Sequence, residues 1–314
     1  MPTFLRSIKT RSKGLLHSAF VSGQRFGFDL LPRHFYSEIP DIRQLRETRN
    51  WRMPRSFADV RGNIEQQAAW VEACTKPYRD RLKGFAVHAA AVKMNGSDEG
   101  YGLVEADFLY CFVRSKKPEQ ILQIGCGVST AVCLQAARDE GYAPKIICVE
   151  PYPTDFLQRE CKAGNIELVP RKVQDVEPGY AKRLRAGDLF FVDSSHTLAP
   201  AGELNLIILE MLPQLESGTY VHFHDIYFPY DYAPETLSSA LFFWHETALL
   251  YAFLTMNGDF EIAGSLSMLH HLRTVDMPRY FPDIQPMIFE DGLTVKPGHF
   301  PSSTYLRRVQ SPTR

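Results

Sequence analysis

Long apolar runs are missing from this chain of 314 residues. No stretch approaches the roughly 18 to 20 consecutive apolar residues of a membrane-spanning helix. The basic N-terminus has no continuous apolar segment behind it, which argues against a secretory signal. Net charge is nearly absent, since 35 Lys and Arg face 36 Asp and Glu. No global field draws such a chain to nucleic acid. Cysteines number only 6, at Cys74, Cys111, Cys126, Cys133, Cys148 and Cys161, and none forms a C-x-x-C pair. Several sit in apolar contexts, so the expectation is reduced, buried thiols in a cytoplasmic protein. Internal repeats and low-complexity tracts are absent too.

What is present suits a soluble globular body. Hydrophobic residues make up 45% and charged residues 23%, and the length allows a full α/β domain with added elements. The organising stretch runs from Glu119 to Thr130, EQILQIGCGVST. Ile121, Leu122 and Ile124 read as a short buried strand that stops at Gly125-Cys126-Gly127, and a helix-like segment follows from Thr130. The two glycines let the backbone turn sharply and approach a ligand, because neither carries a Cβ. Strand, glycine turn and helix start make half of a nucleotide-binding βαβ unit. Glu150 ends the next strand, KIICVEP, where a carboxylate accepts hydrogen bonds from ribose hydroxyls. A plain strand–turn–helix is the bland alternative, and Cys126 reads as a small filler.

The rhythm continues downstream. Helix about 130–140 is stopped by Gly141. Strands follow at 145–149, 166–169, 188–192 and 219–223, with helical pieces at 154–163, near 180–184 and over 202–215. The last has the best periodicity, through Leu204, Ile207, Ile208, Met211, Leu212 and Leu215. Pro234 to Leu254 reads as a long apolar-rich helix. Residues 260–267 and 303–307 read as an antiparallel pair at one sheet edge, with an ordered loop at 278–301 between them. The fold class expected is α/β: a Rossmann-like, doubly wound, mostly parallel seven-stranded sheet with helices on both faces. An N-terminal helical and extended extension precedes it. The domain division expected is an extension and helical cover over 1–100, then the main domain over 101–314.

That cover contains several parts. Arg6, Lys9, Arg11, Lys13 and Arg25 mark a basic arm, with Leu15, Leu16 and Phe20 on one face of a short helix. Residues 29–45, interrupted by Pro32 and Pro40, read as an extended wrap anchored by Phe35 and Tyr36, with His34 as a surface or packing residue. The pattern is helical over 62–85 and again over 101–113, and the polar loop NGSDEGYG at 95–102 is a candidate lid.

Polar residues gather where the strands end. Strand four ends in Asp193-Ser194-Ser195-His196, and strand five in His224-Asp225 after His222. Ligand crevices of such sheets lie outside the carboxyl ends, so these groups and Glu150 converge on one cleft. A single one of them is readily a helix cap or turn former; the set is harder to explain that way. His222 reads as core. Tyr227, Phe228, Tyr230 and Tyr232 either stack on an acceptor or pack on the following helix.

The stretch EQILQIGCGVST resembles motif I of class I S-adenosylmethionine-dependent methyltransferases. A full dinucleotide fingerprint needs a third glycine where this chain has Thr130, so an NAD(P)-dependent oxidoreductase is the weaker alternative. Methyl transfer from a sulfonium is an in-line displacement, and an alcohol or phenol must lose its proton to attack. His196 suits a general base. Asp193 and Asp225 supply hard oxygen ligands for a divalent metal, with His224 as a third ligand. The carboxylates suit Mg, whereas histidine favours a transition metal over it, so Mg, Mn, Fe and Zn are the candidates.

The layout also resembles the metal-dependent O-methyltransferases of the catechol and macrolide-sugar types. That resemblance implies Asp193 and His196 as catalytic residues and Asp193, His224 and Asp225 as metal ligands. It implies a cofactor site formed by Gln123, Gly125, Gly127, Ser129, Thr130, Glu150 and Asp193, with Gln174 and Asp175, in Val173-Gln174-Asp175, at the adenine. Two departures stand out: Gln123 replaces the usual acid at the end of strand one, and His224 replaces an acid after strand five. Residues 29–45 and the ending SSTYLRR resemble the bacterial methyltransferase-24 type. The function implied is O-methylation of a small hydroxylated acceptor, a sugar or secondary metabolite. A non-catalytic cofactor- or partner-binding relative is the alternative from another class. No nucleic-acid partner and no membrane span are expected, and a homo-oligomer with an exchanged N-terminal arm stays open.

Overall fold

The computed structural model describes residues 15–97, 100–232, 241–286 and 301–309, except 32, 34, 36 and 49–52. Arg6, Lys9, Arg11 and Lys13, Pro32, His34 and Tyr36, residues 98–99 of the polar loop, residues 233–240 and 287–300 therefore lie outside the described residues. The chain divides into two compact units, Met1–Glu47 and Thr48–Arg314. In the first, residues 15–25 form helix α1 and Ile42–Glu47 helix α2. Asp41 caps α2 by accepting from the backbone N–H groups of Arg43 and Gln44, at 2.9 and 3.2 Å. A capping carboxylate satisfies donors that have no partner inside the helix.

The second unit opens with α3 (Ile64–Thr75), capped by the Asn63 side chain. The helical pattern of 62–85 does not continue as one α-helix. Pro77 has no N–H to give, and Lys76–Phe85 winds as a 3-10 helix that kinks at Lys83 and Gly84. Helix α4 (Ala86–Asn95), not anticipated from the pattern, starts after that kink. Helix α5 (Leu103–Lys116) leads into the sheet.

The strands are β1 (Gln120–Ile124), β2 (Lys145–Val149), β3 (Glu167–Val169), β4 (Leu189–Val192), β5 (Tyr220–Phe223), β6 (Phe260–Ser265) and β7 (Thr304–Arg308). They form a seven-stranded sheet in the order β3-β2-β1-β4-β5-β7-β6. The first five are parallel, and β7 runs antiparallel to both β5 and β6. Alternate residues of each strand enter different cores. Ile121, Leu189 and Phe191 join one cluster with α3, α4, α5 and the helix α6 (Val128–Glu140). Leu122, Ile124, Phe190 and Val192 join the other, with Ile207, Ile208, Met211 and Leu250. A sheet covered on both faces needs apolar side chains at odd and even positions, which is why its strands read as continuous apolar runs. Helix α7 (Asp155–Lys162) follows β2 and is capped by Thr154.

Four further expectations change. Residues 202–215 are not one α-helix: α8 (Glu203–Leu206) passes into a π-turn, Ile207–Met211, then a 3-10 turn, Leu212–Gln214. Pro213 lacks the N–H that a regular ladder requires, and the wider turn before it absorbs the defect. Of the long helix expected at 234–254, the described part is helical only as α9 (Glu246–Leu254). Residues 241–245 are irregular, and Leu241 sits at φ 56. Strand β6 stops at Ser265 because that side chain caps α10 (Leu266–Leu272), accepting from Met268 N–H at 3.4 Å. The loop expected from 278 begins inside α11 (Met277–Tyr280). Among the described residues no helix is long and apolar enough to cross a membrane.

Candidate active site

Backbone hydrogen bonds continue past the strand ends and set the polar residues in a row. Glu150 N–H reaches Val169 O at 3.1 Å, Gly125 N–H reaches Val149 O at 3.2 Å, Asp193 N–H reaches Ile124 O at 2.9 Å, and His224 N–H reaches Val192 O at 3.0 Å. Glu150, Gly125, Asp193 and His224 thus share the carboxyl edge of β2, β1, β4 and β5. Gly125 has φ 81, a conformation that favours glycine. Beneath the turn, Thr130 Oγ1 accepts from Gly127 N–H at 3.3 Å and donates to Gln123 Oε1 at 2.9 Å. Gln123 Nε2 donates to Ser129 Oγ at 3.3 Å.

A cavity of ≈ 530 Å³ opens beside this edge. Gly125, Glu150, Gln174 and Asp193 line it, together with Tyr152, Lys172, Ser194, Thr197 and Glu203. Gln123, Ser129 and Thr130 do not; they are buried under the glycine turn and hold its shape. Gly127 starts α6 facing the Asn95 side chain, and Asp175 is exposed, away from the cavity lining. The Glu150 carboxylate accepts from Cys126 N–H at 3.2 Å and from Tyr152 N–H at 2.9 Å. It is thereby fixed against the turn.

His196 is the centre of the acidic group. Its Nε2 is 3.6 Å from Asp193 Oδ1 and 3.5 Å from Asp225 Oδ2. Its Nδ1 is 2.5 Å from Glu246 Oε2, at the start of α9. Asp225 Oδ1 accepts from Ser302 Oγ at 3.0 Å and lies 3.7 Å from His224 Nε2. Ser302 in turn donates its N–H to Glu105 Oε1 at 2.7 Å. The Tyr101 ring, at the end of the polar loop, covers His224 with centroids 4.9 Å apart.

The sequence matches the methyltransferase-24 family profile, a methyltransferase domain, over residues 122–226. An uncharacterized protein of Archaeoglobus fulgidus is 30% identical over 166 residues, covering 49% of this chain and 72% of the relative. The chain belongs to the methyltransferase-24 family. Solved structures similar to this methyltransferase include the SAH-bound Podospora anserina methyltransferase PaMTH1, at 14% identity and TM-score 0.41, covering 90% of this chain and 100% of that one. A putative O-methyltransferase from Klebsiella pneumoniae has 13% identity and TM-score 0.39, with coverage of 78% and 99%.

The metal ligands expected from the sequence are Asp193, His224 and Asp225. Among the described residues no group of three or more His, Cys, Asp or Glu is arranged to hold a metal ion. Burial alone would lower the His196 pKa. The Glu246 hydrogen bond and charge outweigh it, with Asp225 and Asp193 adding to them, and push it up to about 9. The imidazole itself stands between the carboxylates of Asp193 and Asp225. His224 is likewise raised: burial lowers it, but Asp225, Asp193 and Glu105 prevail. Burial pushes the carboxyls of Asp193, Glu105 and Glu246 up, against the pull of neighbouring histidines.

His222 belongs to the core of the methyltransferase. Its ring stacks on Phe191 at 4.3 Å, its Nε2 meets Ser303 Oγ at 2.9 Å, and burial holds its pKa well below the usual value. Phe228 and Tyr230 are buried, while Tyr227 stacks 6.5 Å from Trp244 beside His196. Glu246, Glu105 and Ser302 escaped the sequence reading. Glu246 was one acid in an apolar helix, and its partner lies 50 residues away.

Proposed function

We propose that this methyltransferase moves a methyl group from S-adenosylmethionine to a hydroxyl of a small acceptor. The observation that carries the reading is His196 Nε2, held between Asp193 and Asp225 on the strand edge that also presents Gly125 and Glu150. When bound, S-adenosylmethionine supplies an electrophilic methyl group on a positively charged sulfur. The cavity beside Gly125 falls within the roughly 300–1,000 Å³ usual for such ligands. Glu150 accepts from the ribose hydroxyls, and Gln174, with Asp175 nearby, borders the adenine. Gln123, Ser129 and Thr130 serve the cofactor by keeping the glycine turn in shape.

Deprotonation falls to His196. Its Nε2 takes the acceptor's hydroxyl proton while the oxygen attacks, and Asp193 and Asp225 stabilise the imidazolium formed. Aligning the oxygen with the methyl supplies much of the acceleration. In this reading no step runs through a metal; the carboxylates of Asp193 and Asp225 lie against His196. The experiment is calorimetry with S-adenosylhomocysteine followed by methyl-labelled S-adenosylmethionine and a panel of sugars, phenols, alcohols and amines. Tight binding and a labelled O-methyl product support the reading. Absence of binding, or labelled product on nitrogen acceptors alone, refutes it.

A further inference from the structure

Glu246 is 1% exposed, at the first turn of an otherwise largely apolar helix. A carboxylate so placed is costly unless paired. Its Oε2 meets His196 Nδ1 at 2.5 Å, and its Oε1 has no hydrogen-bond partner among the described residues. The backbone makes the same connection twice more. His245 N–H and Glu246 N–H both donate to His196 O, at 2.9 and 3.3 Å. His196 itself is at φ 60, and the Trp244 ring lies 4.5 Å from its imidazole. A left-handed, non-glycine conformation persists only where its surroundings over-determine it. Here three hydrogen bonds and an aromatic ring do so.

We propose that Glu246 is the positioning residue of this site: it fixes the His196 tautomer and direction, so that a buried carboxylate–imidazole pair activates the acceptor hydroxyl without a metal ion. The inference rests on the methyl-transfer reading. A carboxylate at Nδ1 accepts that N–H and leaves the lone pair of the neutral ring on Nε2. Nε2 is the nitrogen that faces Asp193 and Asp225. In the step itself, the acceptor O–H bond breaks and its proton moves to Nε2. The oxygen pair forms the O–CH₃ bond. The C–S bond breaks with its electrons remaining on sulfur, which becomes a neutral thioether. Glu246 then faces an imidazolium, which it stabilises by charge. Water takes the proton afterwards.

The test compares wild type with Glu246→Gln, Glu246→Asp and His196→Asn in the full chain. Calorimetry with S-adenosylhomocysteine reports whether each variant is folded, and Glu246→Gln is expected to bind within about 2-fold of wild type, since no charge-dependent contact to that ligand is assigned to it. Its kcat for labelled methyl transfer is expected to fall roughly 10²-fold with KM little changed. Glu246→Asp should recover part of the rate. Independently of any acceptor, wild type should show a far-downfield imidazole N–H proton resonance that disappears in Glu246→Gln and His196→Asn. EDTA should leave wild-type turnover intact. Unchanged kcat in Glu246→Gln, a downfield signal that survives it, or EDTA inhibition reversed by Mg²⁺ or Mn²⁺ would each overturn the proposal. If wild type neither binds S-adenosylhomocysteine nor transfers methyl, the methyl-transfer reading fails, while the proton resonance still decides whether Glu246 orients His196.

Discussion

The carbonyl oxygen of Asp193 lies 2.0 Å from the point where a Cβ on Gly125 would stand. The ends of β1 and β4 therefore cross so closely that only glycine fits at the first position. The same residue has φ 81. Gly125→Ala should cost about 1–2 kcal/mol from the backbone conformation alone, and more from the forced separation of the strand ends. Thermal unfolding should show a lowered midpoint, and calorimetry a loss of S-adenosylhomocysteine affinity of at least about 10-fold, because Glu150 and Asp193 move apart. A variant with unaltered midpoint and affinity would mean that the crossing yields without strain.

Glu150 gives a second prediction. Its two oxygens already accept from Cys126 N–H and Tyr152 N–H, so the carboxylate is a strut for the turn as well as the group proposed above to meet a ribose. Hydrogen bonds to a charged group are worth about 1.5–3 kcal/mol each. Glu150→Ala should weaken S-adenosylhomocysteine binding roughly 10- to 100-fold, and Glu150→Gln, which keeps one acceptor oxygen, should weaken it less. Equal loss in both would assign the effect to charge rather than to acceptor geometry.

How much of this could be read from the residues alone differs by element. Strands β1, β2 and β4 were legible because both faces of the sheet are buried there, which turns them into largely apolar runs ended by Gly125, Glu150 and Asp193. Lys145–Val149 fell where the pattern put it. The row of polar strand ends followed from the topology. Orientation did not. Asp193, His224 and Asp225 have the chemistry of metal ligands, but both carboxylates lie beside His196, a loop residue that pairs in turn with Glu246 at the start of α9. Periodicity likewise could not show that 241–245 leave the helix, since the N–H groups of His245 and Glu246 go to a carbonyl of the β4 loop.

His196 sets opposite pH trends for activity and stability. Its pKa is raised from 6.5 to about 9, burial being outweighed by Glu246, Asp225 and Asp193. A base must be unprotonated, so kcat/KM should rise with pH, be half-maximal at about 9 and level off above it. For stability the sign is reversed: a histidine whose folded pKa is raised stabilises fully below its unfolded pKa, and the contribution disappears as pH climbs through the folded value. The melting temperature of wild type should therefore fall between pH 6.5 and about 9 by more than that of His196→Asn. Parallel melting curves for the two proteins would show that the imidazole is not held charged.

Asp107, in α5, makes the strongest stability prediction. It is 1% exposed, and neither carboxylate oxygen has a hydrogen-bond partner among the described residues. Burial raises its pKa from 3.8 to about 8; the charges of Asp283 and Glu105 add to the rise and Arg81 opposes it. The unfolded chain ionises this group near pH 4, while the folded protein keeps it neutral until about pH 8. Across that window folding loses about 1.4 kcal/mol per pH unit, and below it the group costs nothing through ionisation. Asp107→Asn is isosteric and cannot ionise, so it should stabilise the protein, by little at pH 4.5 and by most above pH 8. Denaturant melts at both pH values measure the difference. Leaving Asp107 charged in the fold would require a cation beside it, and in that case Asp107→Asn would destabilise at pH 8 instead.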